Sequence, residues 1–172
     1  MSQSNQKRYE IRQLRPEEGE QAIRIEHTCF PPNEACRAER ILERIRKAPE
    51  LFLAAVDSET GKCAGMINGI ATNEKVFRDE FFTDITLHNP EGEQVIILSV
   101  AVLPEHRHQG LAGRMMAEYV KWAKAHDRKE LLLTCLKEKV TLYRGMGYED
   151  LGMANSEWGG EEWHEMRYCI EA

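Results

Sequence analysis

The stretch from Gln94 to Ala125 constrains the fold more than any other part of this chain. QVIILSVAVL is a continuous apolar, β-branched run, and Pro104 ends it. Such a run, bounded by turn residues, reads as a buried central strand. RHQGLAG follows, and then a long helical pattern carries Leu111, Met115, Tyr119 and Trp122 on one face. A strand, a glycine-bearing turn and a helix N-terminus form a cradle for an oxygen-rich anion. The first N–H groups of the helix have no intrahelical partner, and the helix dipole favours negative charge beside them.

The rest of the chain supplies the elements around this unit. YEIRQL alternates weakly and predicts a first strand. A first helix follows, with Pro16 at its start and Ala22, Ile25 and Cys29 at helical spacing. The prolines of FPPNEA mark a break before a second helix, with Asn33 as its expected cap and Ile41, Leu42 and Ile45 as its apolar face. LFLAAVD and CAGMINGIAT read as a hairpin joined by SETGK. A charged, interrupted excursion then leads to the central strand, with a short helix expected around Arg78 to Phe82. After the long helix come the buried strand ELLLTCL, a short helix in EKVTLYRGM, and two closing strands in GYEDLGM and EEWHEMRYCI. The order β-α-α-β-β-β-α-β-α-β-β predicts a mixed α/β (α+β) sheet flanked by helices rather than a bundle.

At 172 residues the chain reads as one domain, large enough to bury a core without disulfide staples. Its five cysteines are odd in number and lack CxxC spacing, which points to a reducing cytoplasm and away from a disulfide framework or a zinc site. His106 and His108 have no companion ligands nearby, so no metal is expected. MSQSNQK reads as a polar lead-in without the apolar core of a secretory signal, and no apolar run approaches a membrane span. Acidic residues outnumber basic ones by 29 to 23, which argues against a general nucleic-acid binder. The net charge of −6 suits solubility and mildly favours a cationic partner.

Spacing decides among the anion loops. A P-loop requires a Lys-Ser/Thr pair after its glycines, and this turn has none. A dinucleotide fingerprint requires GxGxxG, whereas Gly110, Ala112 and Gly113 read G-x-A-G. What remains is Arg107-x-x-Gly110-x-Ala112 opening a helix, with LYRGMGYEDLG downstream and the strand ELLLTCL between them. Together these segments resemble the GNAT superfamily of N-acetyltransferases, whose Q/R-x-x-G-x-G/A turn binds the pyrophosphate of acetyl-CoA. FPPNEA, ITLHNPEGEQVIILSVAV and EEWHEMRYCI extend the resemblance toward the arylalkylamine (serotonin-type) branch and its microbial relatives.

The resemblance implies a sheet whose two middle strands splay apart. It implies that the backbone of Val100, Ala101 and Val102 pairs with the pantetheine arm. Arg107, His108, Gln109, Gly110, Leu111, Ala112 and Gly113 are expected around the pyrophosphate. The N–H of Val100 is a candidate partner for the thioester oxygen. Tyr143 is expected beside the cofactor sulfur, as the group that protonates the leaving thiolate and as a cofactor contact. Phe30 and Glu34 are the acceptor candidates, with Pro31 and Pro32 adding an apolar wall and Trp158 and Trp163 an aromatic lining or a dimer edge. The branch's His-x-His pair is replaced by Ile96 and Leu98, so the base is open among His88, His164, Glu165, Glu26 and Glu34, directly or through water, with a lowered amine pKa or direct proton loss to solvent as the alternatives. Cys135 has no local His to support a thiolate and reads as a packing residue rather than a nucleophile. The expected activity is direct acetyl transfer from acetyl-CoA to the primary amine of a small molecule, by a monomer or homodimer without metal. Protein lysine or N-terminal acetylation and a non-catalytic acyl-CoA-binding module are the alternatives.

Overall fold

The computed structural model describes residues 8–170; the polar lead-in expected at residues 1–7 lies outside them. Chain order is β1 (Tyr9–Gln13), α1 (Gly19–Cys29), α2 (Ala38–Lys47), β2 (Phe52–Asp57), β3 (Lys62–Thr72), α3 (Glu80–Thr83), β4 (Gln94–Val102), α4 (Leu111–Ala125), β5 (Glu130–Cys135), α5 (Val140–Gly145), β6 (Glu149–Met153) and β7 (His164–Cys169). The strands form one seven-stranded sheet in the order β1-β2-β3-β4-β5-β7-β6. β4 and β5 run parallel, and every other neighbouring pair is antiparallel.

Alternation along the strands loads both faces of the sheet. Met115, Tyr119 and Ala123 of α4 pack with Ile67, Val95 and Ile97 on one face. Ala22 and Ile25 of α1 and Ile41 and Ile45 of α2 pack with Phe52, Met66 and Ala101 on the other. Each fully buried aliphatic side chain of this kind contributes about 1.5–3 kcal/mol, so the two helical layers hold the sheet between them. The backbone is bare where α4 crosses β3. A Cβ on Gly69 would lie 2.2 Å from the Ile96 carbonyl oxygen and 2.9 Å from the Tyr119 hydroxyl, which donates to the Leu51 carbonyl at 2.8 Å.

Two irregularities in β4 set the layer each of its side chains faces and the length of its pairing with β5. Its register against β3 steps from Asn68–Ser99 to Gly69–Ile97, leaving Leu98 as the extra residue of a β-bulge. The bulge inverts the alternation. Val95 and Ile97 join the α4 core before it and Val102 after it, while Ser99 and Ala101 turn toward α1 and α2. The pairing of β4 with β5 covers only Gln94–Glu130, Val95–Leu131 and Ile96–Leu132. Both strands continue past that point unpaired with each other, so the sheet splays as expected.

Three local expectations are corrected. Pro16 opens a 3-10 turn, Pro16–Glu18, and the α-helix begins only at Gly19. Asn33 does not cap α2; Arg37 is the N-cap residue, and the Asn33 side chain instead donates to the Gly159 carbonyl at 3.0 Å. Leu42 is 41% exposed rather than core, because the face of α2 turned to the sheet runs through Ile41, Arg44 and Ile45. The short helix expected around Arg78 to Phe82 is present over Glu80–Thr83, followed by a 3-10 turn, Ile85–Leu87.

Candidate active site

The split between β4 and β5 opens into a cleft of about 800 Å³. Its walls at the split are Ile97 to Val102 on one strand and Leu133 to Cys135 on the other. Beyond Ile96 the backbone groups on this edge of β4 have no strand partner in β5. An unpaired edge of this kind accepts an extended ligand as an added strand.

At one end the cleft meets the N-terminus of α4. Gly110 sits at the N-cap position in left-handed conformation, φ 75°, and His108 adopts φ 62°. No side chain caps the helix, and Arg114 N–H is the first to bond back, to the Gly110 carbonyl at 3.1 Å. Nothing lies within 4 Å of where a Gly113 Cβ would be. The N–H groups of α4 ahead of Arg114 therefore have neither an intrahelical partner nor a side-chain cap, which is the arrangement an oxyanion requires. His108, Gly110, Leu111, Ala112 and Gly113 line the cleft, and Gln109 does not. Arg107 also lines it, but its Nε donates to the Val102 carbonyl at 2.8 Å and ties the turn to the end of β4. His106 is held from behind by the Tyr9 hydroxyl at 2.7 Å.

Tyr143 of α5 lines the cleft beside Cys135. Burial first, and then the neighbouring Cys135, push its hydroxyl up to about 12, so it remains a proton donor across the physiological range. Its ring packs edge-on against Tyr148 at 6.1 Å. Cys135 is buried, with its thiol pushed up to about 11 mainly by that burial, which suits a packing residue.

The other end of the cleft is aromatic and acidic. Phe30, Pro31, Phe82, Trp158 and Trp163 line it; Pro32 does not. Trp158 stacks on Phe82 at 4.6 Å, and its Nε1 donates to the Glu34 carbonyl at 2.8 Å. These bonds fasten the loop between β6 and β7 across the α1–α2 connection. Glu34 also lines the cleft, and its carboxyl is pushed up by burial and then by Glu161 and Glu138 nearby. Several acidic groups near one wall favour a cation there.

Behind this wall lies a buried polar network. Glu26 and Arg44 are each only 2% exposed. Glu26 Oε1 accepts from the Ser99 hydroxyl at 2.8 Å, and Oε2 accepts from Cys36 N–H at 2.9 Å. Arg44 donates to Asn68 Oδ1 at 3.0 Å, to the Phe82 carbonyl at 3.0 Å, to Cys36 Sγ at 3.1 Å and to Ser99 Oγ at 3.4 Å. Two opposite buried charges are thus joined through Ser99 and Cys36. Glu26, Cys36 and Ser99 reach the cleft surface.

Of the five residues considered as a base, only Glu26 and Glu34 line the cleft. His88 is at the far end of the sheet: its Nδ1 accepts from Ala71 N–H at 3.0 Å, its Nε2 meets Glu50 at 3.0 Å, and burial pushes its pKa down. His164 pairs with Asp150 at 3.1 Å, and Glu165 stands opposite Thr134 on β7 with its carboxyl pushed up by burial. Ile96 is in a hydrophobic cluster with Phe77 and Phe81, while Leu98 lines the cleft. Among the described residues no cluster of His, Cys, Asp or Glu is arranged to hold a metal.

As parts of this site, sequence reading overlooked Arg44 and the cleft-lining Ser99, Phe82 and Cys29. The signal for Arg44 was present: at i+3 from Ile41 it interrupts the apolar face of its helix with a charge, as Glu26 does at i+4 from Ala22. Ser99 carried no such signal, because the bulge that turns it toward Glu26 has no sequence mark.

Comparison with known proteins agrees with this architecture. The GphF GNAT-like decarboxylase, solved with isobutyryl-CoA, superimposes with a TM-score of 0.81 at 14% identity, covering 94% of this chain and 100% of that one. The loading GNATL domain of CurA from Lyngbya majuscula gives 0.79 at 18% identity, covering 94% and 97%. Among curated proteins, "Probable hydrolase YhcX" of Bacillus subtilis (strain 168) is 23% identical over 133 residues, 74% of this chain; the match spans only 26% of that protein's length. The model of the Acetyltransferase (GNAT) family matches residues 19–148, from the first residue of α1 through the turn before β6, and the chain belongs to that family.

Proposed function

We propose that this member of the acetyltransferase family transfers an acetyl group directly from acetyl-CoA to the primary amine of a small, apolar or aromatic acceptor, in the manner of the arylalkylamine branch. One observation carries the reading. A single cleft joins an unpaired strand edge and an uncapped helix N-terminus to a pocket of aromatic rings and carboxylates. In this assignment the backbone of Val100, Ala101 and Val102 pairs with the pantetheine arm, and the Val100 N–H bonds the thioester oxygen. The turn from Arg107 to Gly113 holds the pyrophosphate, with Arg107 organising the turn through its bond to Val102 and Gln109 outside the contact surface. The Tyr143 hydroxyl gives its proton to the departing sulfur. Phe30 walls the acceptor, and Glu34, with Glu161 and Glu138 nearby, draws its ammonium inward. Residues 1–172 act as one unit in this reading, as a monomer or homodimer without metal. The cytoplasm is its proposed compartment, because all five cysteines are free.

A panel of aryl and alkyl amines, polyamines and peptides, assayed with acetyl-CoA by release of free thiol, tests the assignment. Turnover confined to small amines is the expected result. Turnover of peptides alone would move the substrate to protein termini or lysines, and binding of acetyl-CoA with no turnover of any acceptor would leave a binding module.

A further inference from the structure

We propose that Glu26 is the base for the acceptor ammonium and that the Ser99 hydroxyl relays the proton to it. The inference rests on the acetyl-transfer reading and supplies the proton acceptor that Ile96 and Leu98 cannot provide.

The geometry is that of a two-step relay. Ser99 comes directly after the bulge on β4, immediately before Val100, and its hydroxyl donates to Glu26 Oε1 at 2.8 Å. Both residues reach the cleft on the side that carries Phe30, Phe82 and Trp158. The second Glu26 oxygen is occupied by Cys36 N–H, so the carboxylate is fixed and its other oxygen faces Ser99. The ionisable groups around it are the Arg44 guanidinium from α2, the Cys36 thiol between the helices and the Cys29 thiol on α1, with the Arg107 guanidinium on the far side of that thiol tied to the Val102 carbonyl. Burial pushes both thiols up, leaving them neutral, so Arg44 is the cation that balances the carboxylate. Asn68 of β3 holds Arg44 in place without adding charge.

The protons balance over one turnover. Ser99 accepts one proton from the ammonium while giving its own to Glu26, which later returns it to solvent. The freed amine forms its N–C bond as the thioester C–S bond breaks. Tyr143 protonates the leaving sulfur and regains a proton from the newly acylated nitrogen.

The test compares wild type with Glu26→Gln and Ser99→Ala, using two amines of different basicity over a range of pH. Ser99→Ala keeps both buried charges, so it remains informative if Glu26→Gln folds poorly. Loss of general-base assistance typically costs 10²–10⁴-fold, so kcat near neutral pH is expected to fall at least about 100-fold in Glu26→Gln, with coenzyme A affinity unchanged. In both variants the rate should rise with pH along the ionisation of the free amine and differ between the two amines accordingly. In wild type the rise should come at lower pH and be shared by both amines. A purely structural role would lower the melting temperature and leave that profile in place. Independently of turnover, the carbon NMR shift of the Glu26 carboxyl, assigned by its absence in Glu26→Gln, should move in Ser99→Ala. Turnover with wild-type pH profiles in both variants would overturn the relay alone. Absence of turnover by wild type with every amine would overturn the acetyl-transfer reading and the relay with it.

Discussion

Replacing Arg44 with methionine tests whether the network behind the cleft is a compensated pair of buried charges. Methionine fills a similar volume but removes the guanidinium, leaving Glu26 2% exposed with no balancing cation. Two strong acceptors, Asn68 Oδ1 and the Phe82 carbonyl, each at 3.0 Å, also lose their donor. An unsatisfied buried acceptor costs about 1–3 kcal/mol, which suggests roughly 2–6 kcal/mol for two. Leaving a buried charge without its compensating partner costs about 3–5 kcal/mol, within the same range. For a chain of this size each kcal/mol lowers the melting temperature by about 2–4 °C, so a fall of roughly 6–20 °C is expected. Urea denaturation at pH 7 supplies the free energies. Adding Glu26→Gln removes the orphaned negative charge and keeps a side chain that can bond Ser99 and Cys36. The double variant should therefore be more stable than the sum of the singles by roughly 0.5–3 kcal/mol, the usual coupling between residues of one network. Arg44→Met within about 1 kcal/mol of wild type, or additivity within about 0.5 kcal/mol, would refute the compensated pair.

Gly110→Asp places a carboxylate at the uncapped N-terminus of α4; calorimetry should show coenzyme A affinity reduced at least about tenfold, or 1.4 kcal/mol, and unchanged affinity would remove the turn from the binding site. Tyr143→Phe should lower kcat about 10²–10⁴-fold while coenzyme A still binds, and because the hydroxyl is held near 12, wild-type rates should show no loss from its ionisation between pH 6 and roughly pH 9. Glu18 accepts from Arg12 at 2.8 and 2.9 Å and from Arg15 N–H at 2.8 Å, with the Arg12 guanidinium first among the causes that hold its carboxyl below the usual 4.5. A depressed folded-state value means that this stabilisation is complete above the unfolded value and is lost as pH falls through the folded one. Glu18→Gln should therefore cost stability at pH 7 and flatten the decline below about pH 4.5 in denaturation curves; equal losses at pH 7 and pH 3 would contradict the linkage.

Much of the fold could be read from local pattern. The run from Gln94 to Val102, the turn at Gly110 and the helix from Leu111 are each written in consecutive residues, because strand burial, a left-handed cap position and a helical apolar face all depend on near neighbours. Periodicity also reveals that Glu26 and Arg44 interrupt apolar faces. Their meeting is another matter. Glu26 and Ser99 are 73 positions apart, and Arg44 and Asn68 are 24 apart, so no window along the chain relates them.

The helix start at Asn33 was misread for a similar reason. Asparagine is a good cap by propensity, but here the β6–β7 loop, 126 positions away, takes its side chain. The glycine-bearing turn at Gly110 and its downstream companion LYRGMGY thus follow from the amino-acid order, since each is a local unit whose geometry its own residues impose. The aromatic and acidic end of the cleft does not. It exists because β4 parts from β5 after Ile96 and because the bulge at Leu98 turns Ser99 to the opposite face. Side-chain direction in a strand has a period of two, so one extra residue reverses every position after it. Only the pairing of β4 with β3 reveals where that residue lies.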